Sequence, residues 1–404
     1  MDKLSPKFRV KPKISDRLSL RNLSKFYLKS ELSGGIVALY SNRLIQRVAG
    51  SLLGLFLPIF LFHQFGSINL VLLWYLVGHL IYIFTAAFGA IIASKISFRH
   101  ALIFSVVCGT SYYVCLYFFD RGILLFSILA IILLSLDRMF YWVPYHSAFA
   151  KFTNRRNRGR TIALFTSVAS LIAVVLPVIS GYIITQHGFN VLFLIVILFY
   201  VCSIIPFFVT PRINEYYTFG YWQTWKVLFH PRERRMLVTY MADGAENVIG
   251  VVIWPIFMWQ ILIGNYQAVG LVSSLIILVT VLLRLMMGNY ADKLNKKKLL
   301  RYGSILYSAG WLLKIFVQTG FHIFIASAYH NFAAIAMRTP YDTLMYEKAA
   351  DSGHYVDEYS VLREMSLNIG RVLMILGLLV LFNFFGLNYA FIFAAVAVLF
   401  MNLI

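Results

Sequence analysis

The sequence predicts an all-α membrane protein in which twelve transmembrane helices form two pseudo-symmetric six-helix bundles. Three observations predict this fold: an apolar composition, twelve apolar segments of spanning length and an internal repeat. Of the 404 residues, 60% are hydrophobic and 13% are charged, whereas soluble domains contain about 25% charged residues. A chain so apolar and so poor in charge is typical of a polytopic membrane protein.

Twelve segments are long and apolar enough for a helix that crosses the hydrocarbon core, which takes about 20 residues. We number them spans 1 to 12 in chain order, and they cover residues 36–62, 70–94, 100–119, 123–147, 161–185, 189–209, 236–262, 266–287, 299–318, 322–345, 361–384 and 388–404. The polar stretches between them are too short for a soluble catalytic domain. We therefore expect no cofactor.

The net charge of +20 first suggests a nucleic-acid partner, but the distribution of the charge argues against one. Lysines and arginines cluster in alternate loops, whose side of the protein we call the basic side; the opposite loops, on the neutral side, hold Arg121 alone. Basic loops face the cytoplasm. The pattern predicts an integral, multi-pass protein of the cytoplasmic (inner) membrane with both termini cytoplasmic, and no nucleic-acid partner.

This topology divides the chain into four parts. They are a basic cytoplasmic N-terminal segment (1–34), an N-terminal six-helix bundle (35–209), a cytoplasmic connector (210–235) and a C-terminal six-helix bundle (236–404). The N-terminal segment lacks the apolar region of a cleavable signal peptide. Two interpretations of it stay open: an amphipathic helix on anionic lipid, or a solvated basic tail.

An internal repeat relates the two bundles. YSNRLIQRVAG (40–50) aligns with YMADGAENVIG (240–250), AIIASKISFR (90–99) with GNYADKLNKK (288–297), and VPYHS (143–147) with TPYDT (339–343). The offset stays near 200 residues and the three matches occur in chain order. Two six-span halves in parallel orientation follow, which is a common architecture of secondary transporters.

The stretch GNYADKLNKK resembles the signature that the major facilitator superfamily carries between spans 8 and 9. The matching residues are Gly288, Ala291, Asp292, Lys293, Lys296 and Lys297. Asn295 replaces the second glycine, and the copy between spans 2 and 3 keeps Lys95 and Arg99 but has Ser94 for the aspartate. The resemblance extends from about residue 35 to the end and specifies no subfamily. It implies that spans 1, 4, 7 and 10 line a central cavity.

Ionisable residues lie at depth on those four spans. A charge inside the bilayer costs about 2.5–3.5 kcal/mol, so it should face a watery cavity or another charge. We therefore predict that the substrate cavity or the coupling site is formed by Arg43, Arg47, Asp137, Arg138, Asp243, Glu246 and Arg338, with Arg371 of span 11.

Depth along the helices, at 1.5 Å per residue, predicts which charges meet. Arg47 and Asp137 share a level, which predicts an ion pair between spans 1 and 4. Asp243 and Arg338 also share a level, which predicts a contact between spans 7 and 10. Glu246 lies one turn further out with no predicted partner, and a lone buried carboxylate is suited to binding and releasing protons. We predict Glu246 to be the proton-coupling residue.

Other buried cations have more than one interpretation. Arg43 either snorkels to the inner interface or faces the cavity. Arg371 either binds an anionic group of the substrate or pairs with Glu364. Arg284 and Lys314 lie near the ends of their spans, so we expect both to snorkel.

Charged residues on the basic side predict a gate. The resemblance implies that the loop between spans 2 and 3 meets the start of span 11 when this side closes. The predicted contacts are Lys95 and Arg99 with Asp357 and Glu358 and, by pseudo-symmetry, Asp292 with Arg160. The alternative is that these residues only determine topology.

The sequence thus predicts a secondary active transporter that moves a small polar solute, anionic or zwitterionic, by alternating access and with proton coupling. No ATP-binding Walker motif and no HExxH or GxSxG pattern occurs, so we do not expect an enzyme. The alternatives are drug or amphiphile efflux by the same fold, a lipid-modifying membrane enzyme, and a receptor without flux. The expected partners are a small-molecule substrate, protons and membrane lipid.

Overall fold

The structure is a computed structural model that describes residues 34–152, 158–210, 217–291, 295–351 and 356–403. Nearly all of these residues are helical. The two interpretations of the basic N-terminal segment concern residues 1–33, outside the described range, and stay predictions.

The first half contains spans 1 to 6, and each coincides with a predicted apolar segment. Spans 5 and 6 are continuous except for a break at Gly188, which has φ 77°. In chain order the helices are Gly34–Leu53 and Leu57–Phe65 (span 1), Ile68–Ile96 (span 2), Phe98–Tyr117 (span 3), Ile123–Phe152 (span 4), and Arg158–Cys202 with Ile205–Phe208 (spans 5 and 6).

The second half repeats this series after a short connector helix, Tyr221–Leu228. In both halves together, and among the described residues, seven helices are long and apolar enough to cross a membrane, or eight if the bent pair of span 1 counts as one span. The helices of this half are Arg234–Val248 and Trp254–Ile261 (span 7), Tyr266–Ala291 (span 8), Lys296–Leu313 (span 9), Gly320–Asp351 (span 10), Val356–Leu381 (span 11) and Ala390–Phe400 (span 12).

Spans 1 and 7 are both interrupted, at places that differ by a few residues in the repeat alignment. Span 1 bends by 42° between its two helices, and span 7 contains a π-helical turn at Ile249–Ile253. Pro58 and Pro255 stand in the first turn of the helices that follow. A proline has no amide hydrogen to continue the preceding helix, whereas it fits a first turn.

Helix packing is also repeated between the halves. Spans 3 and 4 pack together as spans 9 and 10 do, and spans 2 and 4 as spans 8 and 10 do. The halves meet where span 2 packs on span 11 and, equivalently, span 5 on span 8. Close approach of spans 5 and 8 depends on glycine. A β-carbon on Gly181 would meet backbone atoms of Tyr266, and one on Gly270 would meet those of Pro177.

Aromatic side chains join the two halves on the neutral side. Phe62 of span 1 lies 6.1 Å from Trp259 of span 7, between ring centroids. Tyr266 of span 8 lies 6.4 Å from Phe56 and 5.5 Å from Phe189. These contacts bring spans 1, 7 and 8 together at the neutral end of the molecule.

Candidate functional site

A buried ion-pair network lies between spans 7 and 10. Asp243 and Glu246 are three residues apart on span 7, so they share one helical face. Arg338 of span 10 bridges them: Nη1 contacts Asp243 Oδ1, and Nη2 lies 2.7 Å from Glu246 Oε2. The contact between Asp243 and Arg338, which their equal depth predicts, is therefore formed. The prediction that Glu246 lacks a partner is wrong, because the arginine fork reaches both carboxylates.

Two tyrosines complete the hydrogen bonding of these carboxylates. The Tyr307 hydroxyl of span 9 donates to Glu246 Oε1 at 2.7 Å. The Tyr341 hydroxyl of span 10 lies 3.5 Å from Asp243 Oδ2. Glu246 is 4% exposed, so these partners replace the water that it would otherwise bind.

Lys314 is enclosed by aromatic rings. Its ammonium lies 4.2 Å from the ring centroid of Trp254 and 4.0 Å from that of Trp311. The residue is 3% exposed, so the expectation that it snorkels is wrong. Two indole faces stabilise the cation by cation–π attraction and remove the need to reach water. Trp311 also packs on His330, with ring centroids 4.5 Å apart.

A cavity of about 340 Å³ opens beside Arg338, whose side chain is 29% exposed. One face of this guanidinium therefore holds the carboxylates while the rest remains accessible from the cavity. Arg284, which we expected to snorkel, lies on the same cavity wall. The lining comes from spans 8 and 10: Thr280, Arg284, Asn331, Ala334, Ile335, Arg338, Thr339 and Asp342.

In the first half, Arg43 packs against aromatic rings of span 4. Its guanidinium carbon lies 4.8 Å from the Trp142 ring centroid and 5.7 Å from those of Tyr141 and Tyr145. Within the described ranges it forms no ion pair with a carboxylate. Cation–π contacts of this kind leave the charge of the arginine uncompensated by an acid.

The predicted ion pair between Arg47 and Asp137 is not formed. Arg47 is exposed and lines a small pocket between spans 1 and 5. Asp137 is buried beside Gly109 of span 3, and its Oδ1 has no hydrogen-bond partner among the described residues. Equal depth does not fix the rotation of a helix, and these two side chains point to different neighbours. Arg138 is half-buried on the same span.

A polar contact that the sequence analysis missed joins the halves between spans 2 and 11. His79 Nδ1 lies 2.8 Å from Asn368 Oδ1, and Arg371 Nη1 donates to the same oxygen at 3.2 Å. Glu364 pairs with Arg363, at 3.2 Å, and not with Arg371. Of the two alternatives for Arg371, the pair with Glu364 is therefore wrong. His79 stands inside an apolar run of span 2, and this was the feature of the sequence that could have predicted the contact.

The predicted gate contact of Glu358 is replaced by another. Glu358 Oε1 accepts hydrogen bonds from the Thr218 amide, at 2.8 Å, and the Thr218 hydroxyl, at 2.5 Å. Arg99 donates to the Phe208 carbonyl at 2.8 Å, and Lys95 is exposed. The contacts of Lys95 and Arg99 with Glu358 are predicted for the state in which the basic side is closed. This conformation does not form them, because Thr218 contacts Glu358 at the start of span 11, and they stay a prediction.

The remaining gate residues are only partly described. Gly288 lies in the helix of span 8, and Lys296 and Lys297 are exposed at the start of span 9. Asp292 and Lys293, and the side chains of Arg160 and Asp357, lie outside the described part of the structure. The contact between Asp292 and Arg160 stays a prediction.

Residues 39–242 match the family model of the Major Facilitator Superfamily. This match covers half of the chain, and the chain therefore belongs to that superfamily: it is an integral, multi-pass membrane protein. A curated relative, the uncharacterised protein YqgE of Bacillus subtilis (strain 168), is 25% identical over 263 residues. That alignment covers 59% of this chain and 57% of the relative, so the chain spans just over half of its length.

Solved structures show the same fold. A POT family transporter in complex with a thioalcohol-conjugated peptide superposes with a TM-score of 0.70, is 12% identical, and is covered over 94% of its chain and 91% of this one. A peptide transporter POT in complex with alafosfalin gives a TM-score of 0.66 at 11% identity, over 93% and 91% of the two chains.

Proposed function

We propose that this transporter moves a small polar solute, anionic or zwitterionic, by alternating access and couples the movement to protons at Glu246. The observation that carries the proposal is the position of Arg338. Among the residues that the structure describes, the Arg338 guanidinium is the one group that contacts Asp243, Glu246 and the cavity at the same time. A solute that binds Arg338 therefore changes the environment of both carboxylates.

The proposed cycle exchanges partners at Arg338. An anionic group of the solute enters the cavity and takes one of the guanidinium positions that Glu246 holds. Glu246 then binds a proton from solution, because a buried carboxylate without its cation favours the neutral form. When the solute leaves, the proton leaves with it and the ion pair with Arg338 forms again. Charge is conserved because the solute anion and the proton move together.

The first half supplies further positive charge towards the same region of the fold. Arg43 lies in its aromatic surroundings with no carboxylate partner in the described part of the chain, and Arg47 is exposed one turn away. We propose that these two arginines bind the anionic part of the solute. Asp342, which is exposed on the cavity wall, would bind the cationic part when the solute is a zwitterion. The aromatic rings around Arg43 favour a solute with an apolar portion.

Alternating access requires the halves 35–209 and 236–404 to move as units about this site. We place the basic side in the cytoplasm of the inner membrane on the distribution of charge. The neutral-side contacts between spans 1, 7 and 8 would then close the outward pathway. Opening would separate Phe62 from Trp259, which are joined here by ring contact.

Flux across proteoliposomes tests the proposal. Purified protein is reconstituted, and uptake and efflux of small peptides, amino acids and carboxylic acids are followed with and without an imposed pH gradient. Peptides are tested first because one similar solved structure is a peptide transporter and another holds a thioalcohol-conjugated peptide. We expect accumulation of at least one zwitterion or anion that depends on the gradient. Flux of apolar amphiphiles alone would favour the efflux alternative, and no flux of any solute would contradict the proposal.

A further inference from the structure

The connector helix Tyr221–Leu228 packs against the first half. Tyr221 stacks on Phe88 of span 2 with ring centroids 4.1 Å apart, and its hydroxyl donates to the Phe84 carbonyl at 3.3 Å. Phe88 lies two turns before the end of span 2, about 12 Å along the helix. The connector helix therefore lies beside a membrane-spanning segment and not beyond its end.

The same segment is also fixed to the second half. Thr218, just before the helix, donates twice to Glu358 at the start of span 11. Thr224 and Leu228, on the inner face of the helix, are 0% and 2% exposed. Contacts to spans 2 and 11 thus set the orientation of the helix and determine which face points outward.

The outward face carries two aromatic side chains with a cation between them. Trp222 is 74% exposed and Phe229 is 56% exposed. Lys226 is exposed between them, four residues after Trp222 and three before Phe229, so the three share one helical face. An aromatic–cation–aromatic surface at this depth suits the boundary where lipid headgroups meet acyl chains.

More positive charge follows directly. Arg232, Arg234 and Arg235 are exposed, and within the described ranges neither they nor Lys226 form an ion pair with a carboxylate. The acid of this segment, Glu233, has its Oε2 atom buried without a hydrogen-bond partner among the described residues. That oxygen is shielded from solvent, whereas the side chains of Lys226, Arg232, Arg234 and Arg235 are all exposed.

We propose that Trp222, Lys226, Phe229 and Arg232, together called the connector surface, bind an anionic phospholipid, with Arg234 and Arg235 adding charge. The cations would contact the headgroup phosphate, and the aromatic rings would contact the upper acyl chains. The commitment to a lipid rests on the exposed aromatic pair, since a free phosphate would need only the cations. This inference goes beyond the proposed function and does not depend on it.

The test compares lipids on the purified full-length chain in detergent. The thermal stability of the protein is measured over a titration with phosphatidylglycerol, with phosphatidylcholine and glycerol 3-phosphate as separate arms. The variant Lys226→Gln/Arg232→Gln is compared with Lys298→Gln/Arg301→Gln, which removes the same charge from exposed positions at the start of span 9. A charge near a lipid surface contributes about fivefold in affinity.

We expect the connector variant to bind phosphatidylglycerol at least tenfold more weakly than wild type and the control variant to stay within about twofold. Trp222→Ser, which keeps every charge, should also weaken binding. Equal losses in the connector and control variants would overturn the proposal, as would a shift with glycerol 3-phosphate equal to that with the lipid. Melting temperatures without lipid, expected to be unchanged for these exposed substitutions, show that the variants are folded.

Discussion

Arg338 holds two buried carboxylates, so we predict that its loss is costly. Arg338→Gln keeps a polar side chain but leaves Asp243 and Glu246 without a cation in a low-dielectric site. Breaking one side of a buried pair costs about 3–5 kcal/mol. The variant should show a strongly lowered melting temperature in detergent. The matched control is Arg284→Gln, which removes an exposed arginine from the same cavity wall; equal effects of the two substitutions would contradict the assignment.

Tyr307 supplies the hydrogen bond on the other oxygen of Glu246. Tyr307→Phe removes only the hydroxyl, and a hydrogen bond between membrane helices contributes about 1–2 kcal/mol in model systems. We expect a modest loss of thermal stability. Tyr302→Phe is the control, because Tyr302 lies on the same helix and is 66% exposed. A melting temperature of Tyr307→Phe that equals that of the control would show that the bond contributes nothing.

Residue depth could be read from the sequence, whereas helix rotation could not. Depth placed Asp243 beside Arg338, and the two are in contact. The same argument failed for Arg47 and Asp137, because adjacent positions on a helix point about 100° apart. The second partner of Arg338 could have been predicted, since Asp243 and Glu246 are spaced for one face. The position of Lys314 could not, because Trp254 lies on a different span.

At the scale of helices, spans 7 and 11 approach closely through two glycines. A β-carbon on Gly244 would meet the Leu367 carbonyl, and one on Gly370 would meet that of Met241. Neither backbone can withdraw without moving its helix, and overpacking costs about 1–3 kcal/mol.

We therefore predict that Gly244→Ala and Gly370→Ala each destabilise the protein, measured as melting temperature. Gly50→Ala is the matched control, since Gly50 is helical and a β-carbon there meets nothing within 4 Å; added helix propensity should make it neutral or slightly stabilising. If alanine is tolerated equally at all three positions, the close approach is wrong.

The sequence located the twelve membrane spans but not the interruptions within them. Apolar length fixes where a span lies, and the twelve segments coincide with the helices. The breaks in spans 1 and 7 had a signal, Pro58 and Pro255, that the repeat alignment did not use. The connector helix was missed for a different reason. It is only eight residues long, and its position depends on packing against spans 2 and 11.

For the whole molecule, we predict that the neutral side closes through spans 1 and 7. Cysteines placed at Phe62 and Trp259 should be joined by a bifunctional thiol reagent, because the two rings they replace are in contact, with centroids 6.1 Å apart. Cys108, Cys115 and Cys202 are free thiols and should first be replaced. A transported solute that promotes opening should reduce the yield. Cysteines at Leu124 and Ile263, which are 77% and 93% exposed, serve as a control pair for random collision. A yield no higher than the control would contradict neutral-side closure.

Proton-coupled transport through Glu246 is tested most directly by comparing two modes of flux in proteoliposomes, with the solute that the panel identifies. Glu246→Gln imitates the protonated form, so we predict that accumulation driven by a pH gradient is abolished while exchange of solute for solute persists. Asp120→Asn, at an exposed residue on the neutral side, should retain both modes. Gradient-driven accumulation by Glu246→Gln at the wild-type level would contradict the coupling role.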